Sequence, residues 1–269
     1  MSHHGFPTHP PGPRGSVTEV MESASIFALG AVRCEVDGQE SLLHGEQPKI
    51  VLTYLCSQHD APVSSDELAD AVWASDTGRY SAGALRGIVS KVRGFLQTNL
   101  DDRARVENLG GCYRLTHDDG VVVDVDLADA EVCRAARLLD DGHAPEAAGP
   151  ARRAVTLLHP PLLPGIDRGW LQIRRAELLR LRRRAMCLAA RVETELGAHD
   201  VAVELATGAV HIDPYDEASH RSLISAHLAA GDRGGALMAY EHCRRLLLDE
   251  LGVRPSPTTE RLHDSVIGL

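Results

Sequence analysis

The sequence lacks three common motifs of phosphate-binding and hydrolytic enzymes. Neither Lys49 nor Lys91 follows the glycine-rich loop of a GxxxxGK[ST] motif, and GxSxG and HExxH are also absent. The acidic cluster of a phosphoreceiver domain is missing as well. We therefore expect a protein that is not an enzyme and that aspartyl phosphorylation does not control directly.

Cysteine pairs, lysines and long apolar runs are also scarce. The six cysteines lie far apart without a CxxC pair, and no secretory segment is recognisable. This usage predicts reduced, buried thiols in a cytoplasmic protein. No apolar run reaches the ~20 residues that span a bilayer, so we expect no membrane protein. Lys49 and Lys91 are the only lysines among 28 basic residues, a bias that indicates a GC-rich genome.

Two histidine pairs raise the question of a metal site. His3 and His4 lie in residues 1–24, a segment rich in proline and glycine that we predict to be a disordered, solvated tail. His220 and His227 share nearly one face of a predicted helix, but no third ligand is close in sequence. We interpret them as packing or surface residues and expect neither a metal nor a cofactor.

The second half of the chain repeats a pattern of small residues with the period of a tetratricopeptide helix pair. Gly197 and Gly231 are 34 residues apart, and these glycines and Gly142 are each followed five residues later by alanine. Equivalent positions of the three units hold Ala147, Ala202 and Ala236, then Ala151, Ala206 and Tyr240, then Ala154, Ala209 and Cys243. The pattern predicts a stack of helical hairpins, which binds partners rather than catalysing reactions.

An insertion after the first unit leads into a long helix, predicted from about Arg168 to Leu196. Its predicted core stripe consists of Trp170, Ile173, Leu178, Leu181, Ala185, Leu188 and Val192. A closing helix is predicted to begin at Ser256-Pro257, with serine as N-cap and proline in the first turn. We expect this helix to cap the open end of the stack.

Seven arginines between Arg174 and Arg191 allow two interpretations of the long helix. In the first, which we favour, they form a solvated face with the intrahelical pairs Glu177/Arg180 and Arg191/Glu195. In the second, they make an additional contact with DNA or polymerase. The sequence alone leaves both open.

The first hundred residues predict a small antiparallel sheet that leads into helices. Apolar runs at 26–29 and 32–36 are followed by a turn signal at Asp37-Gly38, which lies between Val36 and Leu42-Leu43. A first helix over 47–58 has one apolar face. A second begins with a capping box at 64–67, in which the hydroxyl of Ser64 binds a backbone amide and Glu67 reaches back.

A third helix and a hairpin complete the order of elements found in a winged helix. The helix has an apolar stripe formed by Leu85, Val89, Val92 and Leu96. The hairpin turns at Gly110-Gly111, and a further strand is predicted over 121–125. In a winged helix the third helix enters the major groove, while the hairpin contacts the backbone or the minor groove.

Charge is distributed unevenly along this part of the chain. The whole chain carries a net charge of −10, and residues 16–78 hold eleven acidic and two basic groups. Residues 79–98 hold no acid but four basic groups, namely Arg79, Arg86, Lys91 and Arg93. A short basic segment inside an acidic domain provides what a local phosphate contact requires.

The glycines at 83, 87 and 94 of the third helix permit two interpretations. They allow either close approach of the backbone to DNA or weak binding that is dominated by phosphate contacts.

The chain resembles the Streptomyces antibiotic regulatory protein family over about residues 25–269. The resemblance is carried by IFALGAVRCEVDG, SSDELADAVW, ALRGIVSKVRGFL, GGCYRL, VDVDLADAE and GALMAYEHCRRLLLDELGVRPSP. It implies an OmpR-like winged helix-turn-helix (α+β) domain at 25–122, followed at 123–269 by an all-α, tetratricopeptide-like bacterial transcriptional activation domain. The whole fold is then mainly α.

The family also implies a function. Its members activate transcription by binding short direct repeats near a promoter as dimers and by recruiting RNA polymerase, often for a biosynthetic gene cluster. Carried over to this sequence, the third-helix contacts are Arg86, Ser90, Lys91 and Arg93, and the wing contacts are Arg105, Tyr113 and Arg114. The alternative is a tetratricopeptide interaction protein whose winged domain no longer binds DNA usefully.

Overall fold

The computed structural model of the chain describes residues 24–73 and 82–268. Three expectations fall outside these residues: nearly all of the predicted disordered tail, the end of the second helix near 75–76, and Arg79. In the described residues the strands are β1 (Ala24–Phe27), β2 (Arg33–Val36), β3 (Gln39–Leu42), β4 (Val63–Ser64), β5 (Ala104–Leu109), β6 (Cys112–His117) and β7 (Val121–Val123). The α-helices are α1 (Glu46–Cys56), α2 (Ser65–Trp73), α3 (Ala82–Leu100), α4 (Asp124–Asp140), α5 (Ala144–Leu157), α6 (Gly169–Glu195), α7 (His199–Ile212), α8 (Glu217–Ala229), α9 (Arg233–Leu251) and α10 (Pro257–Ile267).

The winged-helix order is confirmed, with two small sheets around α1, α2 and α3. The first sheet has the order β3-β2-β1-β7, in which β1 to β3 are antiparallel as predicted and β7 lies parallel to β1. The second has the order β4-β6-β5. Gly110 and Gly111 close its hairpin with φ of 62° and 97°, the pair of positive angles that a two-residue type I′ turn requires.

The predicted capping box of α2 is half formed. The Ser64 hydroxyl accepts the Glu67 N–H at 3.1 Å, as expected. The second half is wrong, because the Glu67 carboxylate accepts the Tyr54 hydroxyl of α1 at 2.7 Å. Burial, together with this hydrogen bond, raises the pKa of Tyr54. The side chain of Glu67 therefore joins two helices of the winged domain instead of closing the end of one.

The predicted helical hairpins are confirmed as α4/α5, α6/α7 and α8/α9. Gly142, Gly197 and Gly231 follow the first helix of each pair with φ of 80°, 78° and 74°. After each glycine, the next N–H donates to a carbonyl five residues earlier, at 2.8 to 2.9 Å. This bond defines a Schellman motif. The small residues predicted at equivalent positions are all buried, and the second helix of each pair can therefore pack closely on the first.

The long helix α6 matches its predicted bounds, but its side chains differ from expectation at three places. Ile173 is 67% exposed and does not belong to the core stripe. The two predicted intrahelical pairs are wrong: Glu177 pairs with Arg174 at 2.9 Å, and the ion-pair partner of Arg191 is Asp140 of α4, at 3.8 Å. Arg175 is structural, since it donates to the carbonyls of residues 162, 163 and 166.

The two halves of the chain share one hydrophobic core, and Asp124 lies at their junction. This residue is 2% exposed. One oxygen of its carboxylate accepts the Ala28 N–H at 2.9 Å, and the other accepts the Leu29 N–H at 2.8 Å. Nearby, Gly30 donates its N–H to the Pro161 carbonyl. The segment inserted after the first repeat unit therefore packs against the loop that follows β1.

The six cysteines are free, but the expectation that all are buried is wrong, since Cys133 is exposed. Among the helices of residues 24–73 and 82–268, none combines the length and the apolar composition of a membrane-spanning segment.

Replacing Asp124 with asparagine should destabilise the protein. Asparagine offers one acceptor oxygen and one NH2 group, so one of the two backbone N–H groups loses its partner. A buried unpaired donor costs about 1–3 kcal/mol. We expect the free energy of unfolding in urea to fall by this amount. Asp129→Asn, on the exposed face of the same helix, is the matched control, and equal stability of the two variants would contradict the assignment.

Helix α10 is attached to the stack through Glu217 at the start of α8. One oxygen of this carboxylate accepts the Ser256 N–H, the Ser256 hydroxyl and the Thr259 hydroxyl at 2.8, 2.7 and 2.6 Å. Burial tends to raise the pKa of Glu217, but the hydrogen bonds from Thr259 and Ser256 outweigh it and hold the pKa below its usual range. Val266 completes the contact by packing into the apolar cluster of α8 and α9, and α10 closes the stack as predicted.

Acid should loosen α10 from the stack. Because the folded-state pKa of Glu217 is lowered, its contribution to stability is present above the unfolded pKa of about 4.3 and is lost as the pH falls through the folded value. We expect faster amide hydrogen exchange in α10 at low pH, and Glu217→Gln should produce faster exchange already near neutral pH. Glu204→Gln, on the exposed face of α7, should leave the protection of α10 unchanged.

Candidate nucleic-acid interface

Helix α3 has one buried face and one exposed basic face. Leu85, Val89, Val92 and Leu96 are buried, and the helix packs mainly on α1, β2, β5 and the 3-10 turn at 101–103. Arg86, Ser90 and Lys91 are exposed on the opposite side. Among the described residues, neither Arg86 nor Lys91 has an ion-pair or hydrogen-bond partner. These two charges are therefore available to a ligand.

Arg93 lies on the edge of the exposed face and has a structural contact. Its Nε donates to the Val106 carbonyl of β5 at 2.8 Å. The bond fixes the hairpin β5–β6 beside α3. Since Nε supplies only one of the five N–H donors of a guanidinium, the remaining donors of this exposed side chain can still contact a phosphate.

The outer face of the hairpin contains two arginines that share one carboxylate. Glu107 lies opposite Arg114 in the sheet register, and its carboxylate accepts from Arg114 at 2.8 Å and from Arg105 at 3.1 Å. The hydrogen bond from Arg114, followed by that from Arg105, lowers the pKa of Glu107. The net charge of this cluster is therefore one positive charge rather than two. Sequence analysis missed Glu107, although its position two residues after Arg105 on a strand places both on one face.

Tyr113 was predicted to contact DNA from the wing, but the structure buries its side chain. Its side chain is only 4% exposed and lies in the hydrophobic core with Val106 and Leu115. The reason is the alternation of a strand, in which residues two apart point to the same face. Arg114 therefore points outward, while Tyr113 stabilises the wing from the inside. The same alternation, applied to the sequence, would have separated these neighbours.

Ser65 connects the tip of the wing to the start of α2. Its hydroxyl donates to the Gly111 carbonyl at 2.6 Å, and its N–H donates to the same oxygen at 3.0 Å. Together with the contact of Arg93, this arrangement holds the hairpin between α2 and α3. The sequence offered Ser65 only as a member of the capping box, so this bond across 46 residues was not predictable.

The histidines singled out in the sequence lie in different environments. His220 is 1% exposed with its Nε2 at 2.8 Å from the Pro214 carbonyl oxygen, and burial lowers its pKa. His227 contacts Asp232, the N-cap residue of α9, at 2.9 Å. Their positions match the interpretation as packing residues. The described part of the chain contains no group of three His, Cys, Asp or Glu side chains that could hold a metal.

The fold and the exposed basic surface define a winged-helix protein with a tetratricopeptide-like domain. Residues 123–267 match the family model of the bacterial transcriptional activator domain. The chain belongs to this family, and its resemblance to the Streptomyces antibiotic regulatory protein family is confirmed.

Two relatives are similar to this chain over most of its length. The regulatory protein AfsR of Streptomyces coelicolor is 27% identical over 241 residues, which cover 89% of this chain and 24% of AfsR. The transcriptional regulatory protein EmbR of Mycobacterium bovis is 23% identical over 94% of this chain and 65% of its own length. This chain therefore spans less than two thirds of each relative.

A solved structure shows the same fold. EmbR of Mycobacterium tuberculosis, determined in complex with a low-affinity phosphopeptide, superimposes with a TM-score of 0.82. The sequences are 22% identical, and the match covers 91% of this chain and 65% of EmbR. The arrangement of a winged domain followed by helical hairpins is therefore common to both chains.

Proposed function

We propose that the chain is a cytoplasmic, sequence-specific activator that binds promoter DNA through α3 and the wing. In this proposal, residues 25–122 form the DNA-binding domain and residues 123–269 form the activation domain. The observation that carries it is the exposed basic face of α3, where Arg86 and Lys91 have no partner among the described residues. Two unpaired cations on a helix that a winged domain presents to solvent are suited to phosphate contacts.

The family supports the finer parts of the proposal. By analogy with its members, the protein binds direct repeats as a dimer, recruits RNA polymerase and controls a biosynthetic gene cluster. It has no catalytic activity of its own. The wing adds Arg105 and Arg114, with Glu107 reducing their combined charge. Because the whole chain has a net charge of −10, attraction to DNA is confined to this local surface.

The glycines of α3 favour close approach of the protein backbone to DNA. A Cβ atom placed at Gly87 or Gly94 would have no heavy atom within 4 Å. Packing within the protein therefore does not require glycine at either position. Each glycine costs about 1 kcal/mol of helix propensity relative to alanine. We propose that the absence of side chains at these glycines lets α3 lie close to the major groove of DNA. Arg86 and Lys91 then contact the phosphates on either side of that groove.

Removing the two unpaired cations should weaken DNA binding. For Arg86→Ala combined with Lys91→Ala, we expect binding to the protein's own upstream region to weaken by about tenfold or more, since an exposed ion pair contributes up to about 1 kcal/mol. The slope of log K against log salt should become shallower by about 0.9 for each phosphate that the double variant no longer neutralises. Fluorescence anisotropy titrations at several salt concentrations measure both quantities.

The control removes the same charge from the helical domain. Arg134 and Arg137 are exposed on α4, and Arg134→Ala combined with Arg137→Ala should leave affinity and salt slope nearly unchanged. If both double variants bind like the original protein, α3 does not contact DNA. Equal losses in the two would indicate a non-specific effect of net charge.

Removing the carboxylate that pairs with the wing arginines should strengthen DNA binding. Glu107→Gln removes a negative charge and leaves Arg105 and Arg114 free for phosphates, so we expect binding to tighten by about threefold with a steeper salt dependence. Glu40→Gln removes a comparable arginine-paired carboxylate, that of the Arg33 pair, from the other sheet. The same titration should show little change for this control. If Glu107→Gln binds no more tightly than the Glu40→Gln control, the wing does not contact DNA.

A further inference from the structure

A small cavity of about 120 Å³ lies between the loop after β1, the segment 158–162 and helix α6. Its walls are mainly leucine and proline side chains, and the buried ones are Leu29, Leu158, Leu162 and Leu178. Apolar walls of this kind favour a hydrocarbon occupant over water. The cavity includes no residue of α3 or of the wing, so it is independent of the proposed DNA contact.

Helix α6 supplies the positive charge of this cavity. The four residues that it contributes are Arg175, Leu178, Leu179 and Arg182. Their spacing of three, four and seven residues places them on one face of the helix. Among the described residues, neither arginine has a carboxylate partner, and no Asp or Glu lines the cavity. The cavity therefore combines apolar walls with two guanidinium groups whose charge no acid neutralises.

The two arginines differ in what they can offer a ligand. Arg175 is committed to the fold, since its Nε and one Nη donate to the carbonyls of residues 162, 163 and 166. Arg182 has no hydrogen-bond partner among the described residues, and its Nε is buried. The side chain as a whole is only partly buried, so its Nη groups can donate to an anion. Arg182 is therefore the cation that a ligand can pair with.

The cavity opens to solvent and touches both halves of the chain. His159, Pro161 and Leu179 line it and are exposed, so a small molecule can enter without unfolding the helices. Two other lining residues, Leu29 and Leu162, form a β-bridge between the winged and the helical halves. A ligand in the cavity would therefore contact the junction of the two halves.

We propose that this cavity binds a small carboxylic acid with a compact, branched apolar body. An apolar cavity of about 150 Å³ holds one benzene molecule, so a volume of about 120 Å³ suits a somewhat smaller body, such as an isobutyl group. The carboxylate pairs with Arg182, and the hydrocarbon part contacts the leucines. The charge selects an anion, and the small volume excludes nucleotides and peptides.

The proposal is tested with isovalerate, titrated against the full chain and followed by saturation-transfer difference NMR. We expect saturable binding with a dissociation constant of about 1 mM, an affinity within reach of a ligand with so few atoms. Isovaleramide has the same shape without the charge, and acetate has the charge without the isopropyl group. Each should bind at least tenfold more weakly, because binding requires both the cation and the apolar walls.

Substitutions in α6 test the two requirements separately. Arg182→Gln should weaken isovalerate binding by about fivefold or more, since it removes the charge that pairs with the carboxylate. Arg180→Gln is the matched control, because Arg180 is an exposed arginine of α6 that does not line the cavity. Leu179→Trp should abolish binding by filling the opening, where Leu179 is 47% exposed. Thermal melting followed by circular dichroism should show all three variants folded.

Binding should also protect the contact between the two halves of the chain. The Gly30 N–H donates to the Pro161 carbonyl at 2.9 Å beside the cavity, and its hydrogen exchange should slow at saturating isovalerate. An unchanged exchange rate would contradict binding at this site.

Three results of the titrations would overturn the proposal. They are the absence of saturable isovalerate binding, equal binding of acetate, and equal affinities of Arg182→Gln and Arg180→Gln for isovalerate. Tighter binding of N-acetylleucine, a mimic of a protein C-terminus, would overturn it as well, because that result would assign the cavity to a partner protein. None of these results depends on whether α3 binds DNA.

Discussion

The junction between the winged and helical parts of the chain depends on one buried carboxylate. Asp124 follows the last strand of the first sheet, begins α4, and accepts the N–H groups of Ala28 and Leu29. Burial raises its pKa, and the hydrogen bonds from Ala28 and Leu29 oppose that increase. Because Asp124 is the first residue of α4, its two bonds join the start of the helical hairpins to the loop that follows β1.

A second contact makes this junction rigid. Trp170 and Arg168, at the start of α6, donate to the carbonyls of Ala71 and Val72 at 3.1 Å each. These carbonyls belong to the C-terminal part of α2. Trp170 also packs edge-on against Tyr54 with the ring centroids 4.8 Å apart. The start of α6 therefore contacts the winged domain both at the end of α2 and at Tyr54 of α1.

The sequence predicted the helices and hairpins well, but it predicted the hydrogen-bond and ion-pair partners of side chains poorly. Helix faces, the hairpin at Gly110-Gly111 and the glycines that end each first helix follow from local periodicity and backbone angles. The orientation of Tyr113 follows from strand alternation and was accessible in principle. The partners of Glu67 and Arg191 lie on other helices, and Trp170 reaches across 99 residues. No local pattern encodes such distances, since they depend on how whole helices pack.

The arginines show why a count of charges is a weak guide to function in this chain. Arg152 and Arg153 hold the carboxylates of Glu193 and Glu131, which are almost completely buried in the stack. Arg175 satisfies three backbone carbonyls. A buried carboxylate without its cation would be strongly destabilising, so these arginines are committed to the fold. Exposed arginines without an ion-pair partner among the described residues remain on α3, but also on α4 and α6, so exposure alone does not identify a binding surface. A chain with a net charge of −10 can therefore still present a local positive surface, the exposed face of α3.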